Sequence, residues 1–254
     1  MAHATDLIWG RHPVSEALTV EGRIKKIFIA NGVEPHGVND IIAAAQKLKI
    51  TLERVDRKKL DELTHNANHQ GVLAFSVPWE YADIQDAFRL AEERSEPPFL
   101  LILDSVQDVN NLGSLIRAAE AFGAHGVILP EHRAAGVTPA VIKNSAGAVE
   151  HLPVILVTNL TQTIEYLKKQ NVWVFGLAGE AKTKLEQVDL NTAVALVIGN
   201  EESGIRRIVR ESCDALVKIP MFGKVNSLNA ATAGSIALYA AKIARSPHIS
   251  GKKS

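Results

Sequence analysis

The 254-residue chain contains a single cysteine, Cys213. An intramolecular disulfide is therefore excluded, and one cysteine argues strongly against a cysteine-based zinc site. Cys213 reads as a small buried hydrophobe rather than a catalytic thiol. Charge of one sign is also missing, because 28 Lys and Arg balance 28 Asp and Glu. The total does not advertise a nucleic-acid binder, although a local basic patch could still serve one. No apolar run approaches the roughly 18 residues of a membrane span, and the start, MAHATDLIWGRH, has no apolar signal core. A cytoplasmic protein without membrane or metal is the simplest expectation.

Familiar fingerprints are absent too. Neither the G-x-G-x-x-G of dinucleotide sites nor the G-x-S-x-G nucleophile elbow occurs. GLAGEAKTK, residues 176–184, is faintly like a phosphate loop, but it lacks the glycine before the lysine. His65 and His69 could share a helix face, yet no third metal ligand accompanies them.

What is present is an α/β pattern in two parts. Residues 25–30 and 51–55 suit strands, and residues 40–48 and 58–64 suit helices. GVLAFSV at 71–77 reads as a closing strand stopped by Pro78. Residues 7–78 thus form a small α/β domain, followed by a linker at 79–98 that includes a polar, exposed helix. The remainder, 99–246, has short, continuously apolar strands at 99–103, 126–129, 154–157, 172–177, 193–198 and 215–219. Such runs suit a parallel sheet buried on both faces.

Three loops of this second domain each leave an apolar strand and carry Asn, Arg, Glu, Ser and Gly. They span residues 104–124, 196–207 and 219–238. Ligands of open α/β sheets bind at carboxyl strand ends, so the three suggest one composite pocket. In the first, a helix over 111–122 places Leu112, Leu115, Ile116, Ala119 and Phe122 on one stripe. Arg117 then lies opposite, either solvated or aimed at a ligand or a partner chain. Asn111 stands where a helix cap would. In the second, Gly199 permits close approach of a ligand or simply a tight turn. Asn200, Glu201 and Glu202 come next, more polar groups than capping requires. In the third, Ser227 is placed to cap a helix whose side chains are small: Ala230, Ala231, Ala233, Gly234, Ala237, Ala240 and Ala241. Small residues let another backbone or a cofactor come close, and Gly234 calls for a packing reason.

The segments N-N-L-G-S-L-I-R-A-A-E-A-F-G (110–123), I-G-N-E-E-S-G-I (198–205), and I-P-M with S-L-N-A-A-T-A (219–221 and 227–233) together resemble the SpoU family of RNA ribose 2′-O-methyltransferases, within the knotted SPOUT class. The front part, with I-W-G-R-H-P-V-S-E-A-L (8–18) and H-Q-G-V-L-A (69–74), is similar to that family's substrate-binding domain. The resemblance implies a parallel-sheet domain closed by a C-terminal trefoil knot, behind an N-terminal domain like the RNA-binding fold of some ribosomal proteins. It implies S-adenosyl-L-methionine as cofactor, with Gly199, Ile219, Met221 and Leu228 in its pocket. It implies that Arg117 acts at the 2′-hydroxyl, as a base or as a phosphate clamp, and that Asn111, Glu201, Ser227 and Asn229 position the reacting groups. It implies a homodimer whose active site lies near the subunit interface, acting on a guanosine of 23S rRNA. Transfer RNA, another ribosomal nucleotide, or a non-catalytic RNA-binding assembly role are the alternatives. RNA contact is expected from Arg11, His12, Arg23, Lys25, Lys26, Arg54, Arg57, Lys58 and Lys59, the alternative being a solvated charge run.

Overall fold

The structure is a computed structural model and describes residues 7–225 and 227–246. Its contacts divide the chain into two compact units. One comprises the chain up to Glu80 together with Val137–His151, and the other Tyr81–Gly136 together with the chain from Leu152 onward.

The first unit is built on strands β1 (Leu7–Trp9), β2 (Ile24–Ala30), β3 (Thr51–Val55) and β4 (Val72–Ser76), in the order β1-β4-β2-β3. β2 and β3 run parallel, while β4 is antiparallel to both β1 and β2. Helices α1 (Arg11–Ala17), α2 (Asn39–Lys47) and α3 (Arg57–Leu63) connect them. Leu7, Phe28, Ala30, Val55, Leu60 and Leu73 make a core in which α3 is anchored by Leu60. The return segment Val137–His151 contributes a short helix, Pro139–Asn144, capped by Thr138 and packed on β1.

The second unit carries seven strands, β5 (Phe99–Leu103), β6 (Gly126–Pro130), β7 (Val154–Val157), β8 (Trp173–Leu177), β9 (Thr183–Lys184), β10 (Val194–Ile198) and β11 (Ala215–Lys218). Their order is β7-β6-β5-β10-β8-β11-β9, and every neighbouring pair is parallel. β5, β6 and β10 are buried at every position, which explains their unbroken apolar runs. Alternate residues Leu100, Ile102, Val174, Ala195 and Val197 face one side. There they meet Leu160, Ile164 and Leu167 of a helix at Leu160–Lys169, and Val209 of another at Arg207–Ser212. Two long helices, Val109–Ala121 and Ala230–Arg245, pack on each other. In chain order the helices after α3 are α4 (Ile84–Glu93), α5 (Val109–Ala121), α6 (Pro139–Asn144), α7 (Leu160–Lys169), α8 (Arg207–Ser212) and α9 (Ala230–Arg245).

The segment expected to link the domains, 79–98, holds α4. Asp83 and Asp86 form its capping box, and Ala87 and Ala91 are buried. Ala87 joins the core of the second unit, and Ala82 bridges to Ile155 at the edge of β7. No helix of the described residues is long and apolar enough to cross a membrane.

Two helix starts differ from the sequence reading. The cap of α5 is Asp108, whose carboxylate accepts from the backbone N–H groups of Asn110 and Asn111 at 2.9 and 2.8 Å. Asn111 thus lies inside the first turn with its side chain released from capping. The cap of α9 is Asn229 rather than Ser227, with Oδ1 accepting from Ala231 and Thr232 at 2.9 and 3.2 Å. The small face of α9, Ala230, Ala231, Gly234, Ala237 and Ala241, is buried within the unit. A Cβ on Gly234 would stand 2.2 Å from Leu115 Cδ2, so its packing reason is the α5–α9 contact.

Candidate active site

The carboxyl ends of β8, β10 and β11 and the approach to α9 surround a cleft of about 400 Å³ in the second unit. Its rim is built by buried electrostatics. Asp104, fully buried at the end of β5, accepts from Arg206 N at 2.8 Å and Arg206 Nε at 2.6 Å. Its own N–H donates to Ile198 O at 2.8 Å. A buried carboxylate needs such partners, and it fixes the loop after β10 to the loop after β5. Asn200 reinforces the tie, donating to Ser105 O at 3.2 Å and bridging back to Gly204.

Gly199 has a structural explanation. A Cβ there would fall 2.2 Å from the carbonyl carbon of Gly204, so only glycine admits this tight turn. The turn projects Glu201 onto the cleft wall.

A hydrogen-bonded relay then crosses three elements. Asn229 Oδ1 is occupied by capping, so its Nδ2 points away from α9 and donates to Asn111 Oδ1 at 3.0 Å. That fixes the Asn111 amide and turns its Nδ2 onto Glu201 Oε1, to which it donates. Asn111, Glu201 and Asn229 are therefore brought together, from α5, the β10 loop and the start of α9.

Gly199, Ile219, Met221, Leu228, Glu201 and Ser227 all line the cleft, whereas Asn111, Asn229 and Arg117 do not. Arg117 is exposed on α5 and has no side-chain partner among the described residues. It lies six positions after Asn111, about 9 Å further along the helix axis, so one chain does not unite it with the relay.

Sequence reasoning set aside one segment that belongs here. Leu177, Ala178, Gly179 and Glu180, at the end of β8, line the cleft. Glu180 is held ionised below the usual carboxylate range, first by its own backbone N–H and then by Arg210, whose Nη2 lies 2.5 Å away. The failed phosphate-loop comparison hid this, but position at a carboxyl strand end would have found it. Cys213 is half-buried against the core of the second unit and does not line the cleft. Burial, then the charge of Asp214, pushes its thiol up to about 12, and it donates to Val209 O at 3.3 Å. Among the described residues no cluster of His, Cys, Asp and Glu could hold a metal ion.

The basic candidates of the first unit separate. Arg23 is 6% exposed and locked in an ion pair with Glu150 at 2.9 Å, so it is a structural residue rather than an RNA contact. Lys26 pairs with Glu53 at 2.7 Å. Arg11, His12 and Arg57 line an open cleft.

A parallel sheet with a polar cleft at its carboxyl ends, joined to a small α/β unit, defines a ligand-binding α/β protein of two units. The chain belongs to the SpoU rRNA Methylase family, whose model matches residues 98–239, and residues 7–82 match the model for RNA 2'-O ribose methyltransferase substrate binding. It is thus an RNA methyltransferase of SpoU/TrmH type. It is 42% identical over 247 residues to the "Putative TrmH family tRNA/rRNA methyltransferase YacO" of Bacillus subtilis (strain 168), covering 97% of this chain and 99% of that one. Among solved structures it is similar to the SpoU methyltransferase AviRb of Streptomyces viridochromogenes, with a TM-score of 0.77 and 25% identity over 95% of this chain and 90% of that one. AviRb is also known in complex with the cofactor AdoMet. An rRNA methyltransferase from Sinorhizobium meliloti gives a TM-score of 0.74 at 26% identity, covering 94% of this chain and 87% of that one.

Proposed function

We propose that the protein transfers a methyl group from S-adenosyl-L-methionine to a ribose 2′-hydroxyl of RNA, a guanosine of 23S rRNA, in the cytoplasm and as a homodimer. The observation that carries this reading is the Asn229–Asn111–Glu201 relay. It ties the cleft wall to α5, the helix that bears Arg117, exposed and unpaired among the described residues. The cleft suits the cofactor. Its volume lies within the roughly 300–1,000 Å³ of small-molecule sites. Ile198, Ile219, Leu228 and Ala230 offer apolar lining for an adenine, and the ionised Glu180 offers acceptors for ribose hydroxyls.

When bound, the sulfonium supplies an already activated methyl group. The chain's residues then have to align the hydroxyl and ease loss of its proton. A guanidinium pKa above about 12 makes Arg117 a poor base. Its planar fork suits a clamp on the RNA phosphate next to the reacting ribose, which orients the hydroxyl. Asn111, Glu201, Ser227 and Asn229 hold that geometry, with Gly199, Ile219, Met221 and Leu228 around the cofactor. The trefoil knot implied by the family resemblance is part of the same reading, as the threading that would rigidify the three loops.

The homodimer is supported by α9. Ile236, Tyr239 and Ile243 are 39%, 54% and 56% exposed, and their spacing puts them on one outward stripe. Contiguous exposed apolar side chains of this kind mark an interface. RNA as the substrate is supported by the match of the front unit to a dedicated substrate-binding model.

The experiment is Arg117→Ala. Methyl transfer to unmodified 23S rRNA should vanish while calorimetry still records cofactor binding; full activity removes Arg117 from the mechanism. Ribose-methylation mapping by mass spectrometry, with and without the gene, identifies the nucleotide. A purified protein that ignores S-adenosyl-L-methionine overturns the enzymatic reading in favour of an assembly factor.

A further inference from the structure

A second cleft, of about 600 Å³, opens in the first unit and is lined by Arg11, His12, Asn31, Gly32, Val33, Glu34, Arg57 and Gln70. These residues lie just past the carboxyl ends of β1, β2 and β3, with Gln70 shortly before β4. Carboxyl strand ends are where open α/β sheets take ligands.

Its chemistry is unbalanced. Among the described residues Arg11 and Arg57 have no carboxylate partner, and Nε of Arg11 is buried with no hydrogen bond there. The amides are half used. Asn31 Nδ2 donates to Asp56 Oδ1 at 3.2 Å, which leaves its Oδ1 open. Gln70 Oε1 accepts from Arg11 N at 3.0 Å, which leaves its Nε2 as an open donor. Glu34 adds an acceptor.

The walls are rigid. His69 is 2% exposed, its Nε2 lies 2.9 Å from Asp61 Oδ1, and its Nδ1 accepts from Gly71 N at 2.9 Å. This holds Gln70 at φ 54, the left-handed region, a conformation unfavourable for a residue with a side chain. A Cβ on Gly71 would come 2.4 Å from Val33 Cγ2, so the β2 and β4 loops touch. A strained, pre-set amide beside two unpaired guanidiniums is arranged for a ligand rather than for stability.

We propose that this cleft holds one unstacked nucleotide of the RNA substrate, its phosphate between Arg11 and Arg57 and its base edge read by Asn31 Oδ1, Gln70 Nε2 and Glu34. The proposal rests on the RNA-methyltransferase reading and adds where substrate choice is made. Two guanidiniums match phosphate oxygens. Open donors and acceptors at one wall match the edge of a base that only an unpaired nucleotide exposes. The site recognises RNA away from the reacting ribose, so its residues set affinity rather than chemistry.

The test uses the full chain, unmodified 23S rRNA made by transcription in vitro, and a fully paired RNA duplex as control. Arg57→Gln should weaken binding of the ribosomal RNA about tenfold and reduce the slope of log affinity against log salt by roughly 0.7–0.9. Gln70→Asn, which tolerates the left-handed backbone, should weaken binding with an unchanged slope. Both should raise KM for RNA while kcat and cofactor affinity stay as in the wild type. Wild-type affinity and slope in both variants would overturn the proposal, as would an equal loss of duplex binding, which would mark a general phosphate patch. A wild-type protein that binds ribosomal RNA through these residues but transfers no methyl group would overturn the enzymatic reading alone. One that methylates RNA with the variants unaffected would overturn the cleft alone.

Discussion

Asn229 does two things with one side chain. Its oxygen caps α9 and its nitrogen donates to Asn111. The two roles can be separated by substitution. Asn229→Ala loses both and should cost about 1 kcal/mol of stability as well as turnover. Asn229→Asp keeps a capping oxygen but presents an acceptor to Asn111 Oδ1, so its thermal midpoint should stay close to wild type while its methylation rate falls. Calorimetric unfolding and a single-turnover assay on the same preparations check this; an Asp variant with the wild-type rate would remove the relay from the reaction. A second residue prediction concerns His125, which is fully buried. Its Nδ1 accepts from Phe99 N at 3.0 Å, and its Nε2 faces Glu96 at 3.3 Å. Burial, with Arg94 next and Arg245 also contributing, lowers its pKa from 6.5 to about 4 against the raising effect of Glu96. The folded state thus binds fewer protons than the unfolded chain between those values. Stability is full above pH 6.5 and is lost as pH falls toward 4, by up to roughly 3 kcal/mol. His125→Asn supplies an oxygen to Phe99 N without the titration, so its urea midpoint should fall less between pH 7 and pH 5 than that of the wild type; parallel curves would refute the assignment.

Among the elements, the strands were the most legible part of the chain. β5, β6 and β10 are apolar from end to end because both faces are covered, and five such residues in a row have no other economical fate. Helix starts were less legible. Residues 108–111 offer Asp, Asn and Asn within one turn, and residues 226–229 offer Asn, Ser and Asn. Which one caps depends on where the preceding loop delivers the backbone, and before α5 that loop starts from Asp104, tied to Arg206. The site was legible as residue types but not as partners. Asn111, Glu201 and Asn229 are far apart in the chain, and they meet through the packing of α5 on α9 and the ties between the β5 and β10 loops. That packing is testable at Gly234. Alanine there gains helix propensity of about 1 kcal/mol but drives a methyl into Leu115, which is fully buried, and overpacking costs typically about 1–3 kcal/mol. Gly234→Ala should therefore be neutral to moderately destabilising, and Leu115→Val should hurt the variant less than it hurts the wild type. A double-mutant cycle on denaturation midpoints reads the coupling; additive effects would deny the contact.

For the molecule as a whole, the separation of Arg117 from the relay makes a statement about assembly. The relay is complete within one chain, yet the cation proposed to clamp the substrate projects outward from the same helix, exposed and unpaired among the described residues. The apolar stripe of Ile236, Tyr239 and Ile243 leaves α9 equally unfinished, with Tyr239 packed edge-on against Phe122 at 5.7 Å. Both features are explained if a second copy covers α9 and delivers its Arg117 to the cleft of the first. Ile243→Glu should then yield a folded monomer by sedimentation, able to bind cofactor but inactive on RNA. Subunit mixing gives the sharper result. Arg117→Ala and Glu201→Ala homodimers are each expected to be inactive. If the clamp acts across the interface, a mixed dimer pairs the intact Arg117 of one chain with the intact Glu201 of the other in one of its two sites. Random exchange at equal concentrations makes half of all dimers mixed, so activity should recover to about a quarter of wild type. If Arg117 serves its own chain's site, each site in a mixed dimer still carries one defect, and mixing should recover nothing.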